Sequence, residues 1–296
     1  TLLGAVGKSV AYQIETDAAH GLTGYNSTIT YSLLNAPSWL SVSSSSGAVT
    51  GTAPSAGIYT FQAKATNNLG TAIKDVTLTV TSYSNWNYAL SFTTDYSTSS
   101  PINDWNMLVR LSEDSGNGAG NAGFKYSQAA SNGGDLRFIT KAGHELKYEI
   151  ANWNIVGESQ IWVNVPSLAS DENVTMYWGN PNAGLPAYGN DGSVWKSYFG
   201  VYHLEGGSGN AEDSSPLNND LPGVNTPQLV ASGMTGASYS TTASDQDGFM
   251  GTISGNISAK QATYSIWANT PSNPTDWKDF FGVEYNNDSA HFLRFQ

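Results

Sequence analysis

Cysteine is absent from this 296-residue chain, so no disulfide framework, thiolate metal site or cysteine nucleophile can be built from it. Charge is scarce as well: Asp, Glu, Lys and Arg make up 12% of the residues, against roughly 25% in ordinary soluble domains. Basic residues are the rarer half, 12 against 24 acidic, for a formal net charge of −12. A chain of that sign repels phosphate backbones instead of neutralising them, which excludes general nucleic-acid binding. No window approaches the ~20 consecutive apolar residues that a membrane-spanning helix needs, so no membrane insertion is expected within these residues. The opening Thr1-Leu2-Leu3-Gly4 lacks the charged-then-apolar profile of a signal peptide, and the chain reads as a processed or excised piece.

What is abundant is 31 Gly, 16 Tyr and 9 Trp in a background rich in Ser, Thr and Asn. Long helices need Ala, Leu, Glu and Lys; this composition suits short strands joined by polar turns. The length allows about two domains at ~150 residues each, or three if each is a β-sandwich of ~100. Period-two alternation runs through Gly57-Ile58-Tyr59-Thr60-Phe61-Gln62-Ala63-Lys64-Ala65-Thr66 and Asp75-Val76-Thr77-Leu78-Thr79-Val80, the mark of a half-buried antiparallel sheet. Short strand-like runs recur at Met107-Leu108-Val109-Arg110-Leu111, Gly134-Asp135-Leu136-Arg137-Phe138, Leu146-Lys147-Tyr148-Glu149-Ile150, Ile161-Trp162-Val163-Asn164-Val165 and Val174-Thr175-Met176-Tyr177-Trp178. The predicted fold class is all-β, as a rod of tandem β-sandwiches.

Three resemblances follow the chain. Ala36-Pro37-Ser38-Trp39-Leu40-Ser41-Val42, with Ser46-Gly47-Ala48-Val49-Thr50-Gly51-Thr52-Ala53-Pro54, resembles the "putative immunoglobulin" and cadherin-like repeats of bacterial surface proteins, which implies an Ig-like spacer over 1–81. The strand set from Trp86-Asn87-Tyr88 to Trp178-Gly179-Asn180-Pro181 resembles domain of unknown function no. 2341, and is read as a second β-sandwich over 82–183. That family occurs in large secreted proteins and beside TolQ/ExbB-type proton-channel subunits. Val201-Tyr202-His203-Leu204-Glu205, Glu212-Asp213-Ser214-Ser215-Pro216-Leu217-Asn218-Asn219-Asp220 and Ala262-Thr263-Tyr264-Ser265-Ile266-Trp267-Ala268 resemble the opening half of a laminin-G-like, concanavalin-type jelly roll over 184–296.

Catalytic patterns do not assemble. Gly4-Ala5-Val6-Gly7-Lys8-Ser9 has Leu2 where a phosphate loop needs glycine, and the strand-like Val10-Ala11-Tyr12 follows instead of a helix. His20, His144, His203 and His291 are scattered, with neither a His-Glu-x-x-His pair nor a Gly-x-Ser-x-Gly elbow. Glu284 lacks the second carboxylate on its strand that jelly-roll glycosidases carry. The chain is therefore read as no enzyme.

Binding patterns are better represented. Hard cations take several oxygen ligands from a turn-rich loop. The segment from Glu212 to Asp220 concentrates such oxygens, and Asp245-Gln246-Asp247-Gly248 supplies a second set. The laminin-G-like resemblance implies a structural Ca2+ there, held by Asp213, Asn219 and Asp220. The same side chains can instead satisfy turn backbone and cap strand ends. A sugar platform needs an exposed aromatic face with amides nearby. Trp277, flanked by Asp276 and Lys278, and Tyr285, followed by Asn286, Asn287 and Asp288, are the candidates, whereas Trp86, Trp162, Trp178 and Trp267 occupy apolar positions of alternating runs and are expected in the core. The expected role is adhesion or polysaccharide binding at the cell surface or outside the cell. Polysaccharide or cell-surface glycan is the expected partner, with other copies of the chain as a further one. The alternatives are a filament or sheath subunit completed by a neighbouring chain, accessory modules of a polysaccharide-degrading enzyme, or the extracytoplasmic part of a TolQ/ExbB-type complex.

Overall fold

The structure is a computed structural model that describes residues 2–14, 28–97, 100–118, 123–170, 172–205, 209–233, 236–240, 248–252, 263–268, 278–285 and 289–295. For 278–285 and 289–295 it describes the backbone alone. The fold is all-β: the described residues form strands and short 3-10 turns. Thr1–Lys196 make one compact unit and Ser197–Gln296 a second.

The first sheet system uses β1 (Leu2–Ala5), β2 (Ser9–Gln13), β3 (Thr30–Leu34), β4 (Leu40–Val42), β5 (Ala48–Thr52), β6 (Gly57–Asn67) and β7 (Gly70–Thr81). Two sheets result, ordered β1-β7-β6-β3 and β2-β5-β4, with β1 running parallel to β7 and the other pairs antiparallel. Alternation decides which faces meet. Leu78 and Val80 of β7, Phe61 of β6, Val10 of β2 and Val49 of β5 point inward and form one buried cluster, while the intervening Thr and Gln positions face water. The Gly4-to-Ser9 segment is strand, turn, strand: β1 ends at Ala5, Gly7 turns at φ 72°, and β2 begins at Ser9. A phosphate-binding loop with a helix behind it is not what these residues build.

The second system has β8 (Tyr88–Thr93), β9 (Ile102–Ser112), β10 (Arg137–Thr140), β11 (Glu145–Asn152), β12 (Glu158–Leu168) and β13 (Asn173–Trp178). They form one antiparallel sheet ordered β8-β13-β10-β11-β12-β9. Its inward positions, among them Leu111, Phe138, Leu146, Tyr148, Ile161, Val163, Val165, Val174, Met176 and Trp178, belong to one core cluster, against which Leu90 and Phe92 of one edge strand and Met107 and Val109 of the other also pack. Both edges can reach a single core only if the sheet curves over it, and the register shift between Ile150 and Asn152 marks an irregularity of the kind that bends strands. Phe124, Tyr126 and Leu136 from the long β9–β10 connection fill the open side.

The two systems touch where Gly143 (φ 90°), at the β10–β11 turn, lies against Lys8; a Cβ at this glycine would collide with the lysine side chain.

In the unit Ser197–Gln296, β14 (Asn210–Ala211), β15 (Leu221–Val224) and β18 (Gly248–Phe249) form a three-stranded sheet, and β16 (Gln228–Gly233) with β17 (Gly236–Ser240) and β19 (Lys278–Tyr285) with β20 (Ser289–Phe295) form two hairpins. Residues 263–268, expected as a strand, are not strand, and Trp267 is 70% exposed.

Candidate functional site

The residues singled out for a cation lie on the loop joining β14 to β15. Asp213 is buried at its centre. One carboxylate oxygen accepts from the backbone N–H of Val201 and of Ser215, each at 2.8 Å. The other accepts from the Ser215 hydroxyl at 2.7 Å and from the Asn219 N–H at 2.8 Å. Ser215-Pro216-Leu217-Asn218 closes as a β-turn through Asn218 N–H to the Ser215 carbonyl, with proline in the second position where its fixed φ suits the turn. Asn219 is buried and its side-chain amide donates to the Phe199 carbonyl at 2.7 Å; Asp220 is exposed and accepts from the Asp213 N–H at 2.8 Å. The loop thus brings the three residues together, but it commits Asp213 to protein donors at both oxygens. A calcium ion needs lone pairs from several oxygens at once, and this arrangement does not fit one. Among the described residues, no group of three or more His, Asp or Glu is placed to hold a metal.

Of the proposed aromatic platform, Trp277 lies outside the described residues, as do Asp245, Gln246 and Asp247, and of Tyr285 only the backbone, at the end of β19, is described. Three of the four tryptophans expected in the core are elsewhere. Trp178 is buried in it, but Trp162 points to the opposite face of β12 from Ile161 and Val163, and Trp267 is exposed. Trp86 is half-buried and donates its indole N–H to the Asp135 carbonyl at 2.6 Å. A run with apolar side chains on both parities, such as Ile161-Trp162-Val163, does not reveal which parity faces the core.

A buried charge cluster went unseen in the sequence. Arg137 and Glu145 sit on β10 and β11 with side chains 10% and 5% exposed and 3.7 Å apart. The guanidinium donates to the carbonyls of Leu136, Gly134 and Gly184 at 2.6, 3.1 and 2.9 Å, and lies 5.5 Å from the centre of the Trp86 ring. Glu145 accepts from the phenols of Tyr188, at 2.6 Å, and of Tyr83. In the turn that leads into β10, two residues before Arg137, Asp135 accepts from the N–H groups of Ala130, Gly179 and Asn180 at 2.8, 2.7 and 3.1 Å. Tyr83 and Trp86 come from the segment following β7, which composition marks only as a polar connection. It is instead a 3-10 turn, Tyr83–Asn85, clamped to the second sheet, with Tyr83 also stacked on Tyr177 at 5.0 Å. The sequence signal was the Asp-Leu-Arg-Phe alternation at 135–138, two charges at the entrance of an apolar strand.

Burial, reinforced by the Glu145 charge, pushes the phenols of Tyr83 and Tyr188 far above the ordinary tyrosine value, and burial does the same to Tyr148. Tyr202, whose hydroxyl donates to the Asn219 carbonyl, is pushed up to about 12, by burial first and then by Asp213 and Asp220. Raised folded-state values mean that the unfolded chain releases these protons first, so stability is intact below pH ~10 and falls as pH climbs toward the folded values. Urea midpoints at pH 8 to 11 should be level up to about pH 9 and then drop. Tyr188→Phe should flatten that drop; an unchanged alkaline slope would contradict the assignment.

On the second sheet, the face turned away from the core is polar yet largely covered. Asn106 of β9 and Gln160 and Asn164 of β12 are 8%, 5% and 5% exposed, with Trp162 between the latter two. Asn164 donates its side-chain amide to the Asn106 carbonyl oxygen at 2.7 Å. Among the described residues, the Asn106 amide nitrogen and the Gln160 carbonyl oxygen find no hydrogen-bond partner. Trp195, in the 3-10 turn Ser193–Trp195, packs edge-on against Trp162 at 5.2 Å and donates its N–H to Glu149 of β11.

Residues 2–82 match the family described as Putative Ig domain, and residues 132–215 match the domain of unknown function DUF2341. No curated protein matches the chain. Two solved structures from Bacteroides fragilis NCTC 9343, a putative alpha-galactosidase and a putative alpha-galactosidase/melibiase, are 20% and 19% identical over 27% of this chain and 16% of theirs, each with a TM-score of 0.22. An endo-fucoidan hydrolase from glycoside hydrolase family 107 is 13% identical over 59% of this chain and 26% of its own, with a TM-score of 0.24. The chain spans about a quarter or less of the length of these proteins, and likeness at that level says nothing about a shared activity.

Proposed function

We propose that this chain is a non-catalytic, modular segment of a secreted or cell-surface protein and that it works in adhesion by binding polysaccharide or cell-surface glycan. The observation that carries the reading is the use made of the buried carboxylates. Asp135 is held by three backbone N–H groups, Glu145 by two phenols and an arginine, and Asp213 by four donors. A general acid or base keeps an oxygen directed at its substrate, within ~3 Å of the proton it moves; these carboxylates organise loops and strands. The tandem of an Ig-like module and a DUF2341 module supports an extracellular, spacer-and-binder arrangement.

A glycan array probed with the full chain tests this. Retention of a defined subset of glycans without release of cleaved product is the expected result. Product release overturns the non-catalytic part. An array with no retained glycan, together with polymers that grow with protein concentration, replaces glycan binding by self-association.

A further inference from the structure

We propose that Trp105, on the outermost strand β9, is a stacking platform for a pyranose ring of the bound polysaccharide; the inference rests on the polysaccharide reading above and gives it a location. The Trp105 side chain is 47% exposed, in a strand whose Ile102, Met107, Val109 and Leu111 pack on the core. The residue before it, Asp104, has φ 51°, a left-handed conformation that is uncommon outside glycine. Asp104 stands opposite Pro166 of β12, between the pairs Asn103–Ser167 and Trp105–Val165. Core positions on β12 pass from Val163 and Val165 to Leu168, and on β9 from Met107 to Ile102, so both strands change the parity they bury at this point. Trp105 lies at that crossover, and its ring is left half in solvent. Strand distortions that re-aim a side chain, and residues held in strained backbone, concentrate at binding and active sites.

The surroundings suit a sugar. The C–H face of a pyranose packs on an aromatic ring, and its hydroxyls both give and accept hydrogen bonds. Asn103 and Ser167, both exposed and paired across the ladder next to Trp105, offer an amide and a hydroxyl. Asp104 pairs with Lys196 at 2.8 Å, and each side chain keeps a third or more of its surface in water, within reach of further hydroxyls. Because β9 is the outermost strand of its sheet, no further strand of that sheet covers this flank. A polypeptide strand is a poorer occupant of the same edge. The left-handed residue inside β9 interrupts a flat ladder, and the charges of Asp104 and Arg110 disfavour strand addition.

The test prints neutral and acidic oligosaccharides on the array, takes the best-retained one and titrates it against the full chain and five variants. Trp105→Ala removes the ring, Trp105→Tyr keeps an aromatic face, and Asn103→Ala removes an exposed amide beside it. Trp267→Ala and Trp277→Ala remove indoles of the unit Ser197–Gln296. Melting temperatures within a few degrees of the parent establish that each variant is folded. Affinity is expected to fall about tenfold or more in Trp105→Ala, to stay within a few-fold of the parent in Trp105→Tyr, and to be unchanged in Trp267→Ala and Trp277→Ala. Asn103→Ala, with a loss of about fivefold expected, serves if Trp105→Ala does not fold. Parent affinity in the folded Trp105→Ala protein, or in Asn103→Ala where that variant serves, overturns the location and leaves polysaccharide binding standing. A parent chain that retains no oligosaccharide overturns both. Concentration-dependent polymers that Trp105→Ala abolishes make the ring a contact between copies of the chain, and also overturn the platform.

Discussion

Replacing Glu145 by alanine is expected to destabilise the unit Thr1–Lys196 by ~3–5 kcal/mol, the usual consequence of removing one partner from a buried ion pair. The physical reason is what remains behind. Arg137, with its side chain 10% exposed, keeps its charge and loses its counter-ion, and the phenols of Tyr83 and Tyr188 lose their acceptor. A double replacement, Arg137→Met with Glu145→Leu, should recover much of the loss, because it removes the uncompensated charge along with its partner. Urea unfolding of the two variants and the parent measures this. The same experiment reports on the joint between the first two sheet systems, since Tyr83 belongs to the segment that connects them. Release of its hydroxyl should make residues 81–87 the first site of limited proteolysis. A Glu145→Ala protein that unfolds at the parent midpoint and resists protease there would show that the cluster contributes neither stability nor rigidity.

Asp213→Ala should be comparably severe within the other unit, at ~2–4 kcal/mol, because three backbone N–H groups and a hydroxyl lose a charged acceptor in a buried loop. Amide exchange at Val201, Ser215 and Asn219 should accelerate together. Addition of a chelator to the parent protein should leave its melting temperature unchanged, since the aspartate is occupied by the loop itself. A chelator-induced drop of several degrees would restore calcium to Asp213, Asn219 and Asp220 and remove the loop-organising account.

The loop illustrates how far spacing alone reaches. An acidic and amide-rich segment between two short strands is legible as a special turn, and the turn exists. Whether its oxygens face a cation or the backbone depends on the paths of the chain at Val201 and Phe199, which are remote in sequence from Asp213 and Asn219. The tryptophans make the same point. Ile161-Trp162-Val163-Asn164-Val165 alternates, but indole and isoleucine both count as apolar, so the pattern names two candidate inner faces. Core contacts with Phe138, Leu146 and Met176 choose the odd positions and turn Trp162 outward beside two amides.

The connection after β7 was the least visible element. Ser, Tyr and Asn in succession look like linker, and nothing local distinguishes an idle tyrosine from one whose hydroxyl meets a glutamate sixty-two residues later. Arg137 and Glu145 are likewise ordinary polar members of alternating strands until β10 and β11 pair through Phe138 with Leu146 and Ile139 with Glu145.

From the chain alone came the all-β class, the strand positions of the first two modules and the exclusion of thiol chemistry, because period-two burial and composition are local properties. Tertiary structure decided which parity of each strand meets the core, which carboxylates are consumed by the backbone, and that a covered sheet face retains unpartnered amides. Those outcomes depend on residues brought together from far along the chain, and no local pattern records which distant group arrives first at a side chain able to face either way.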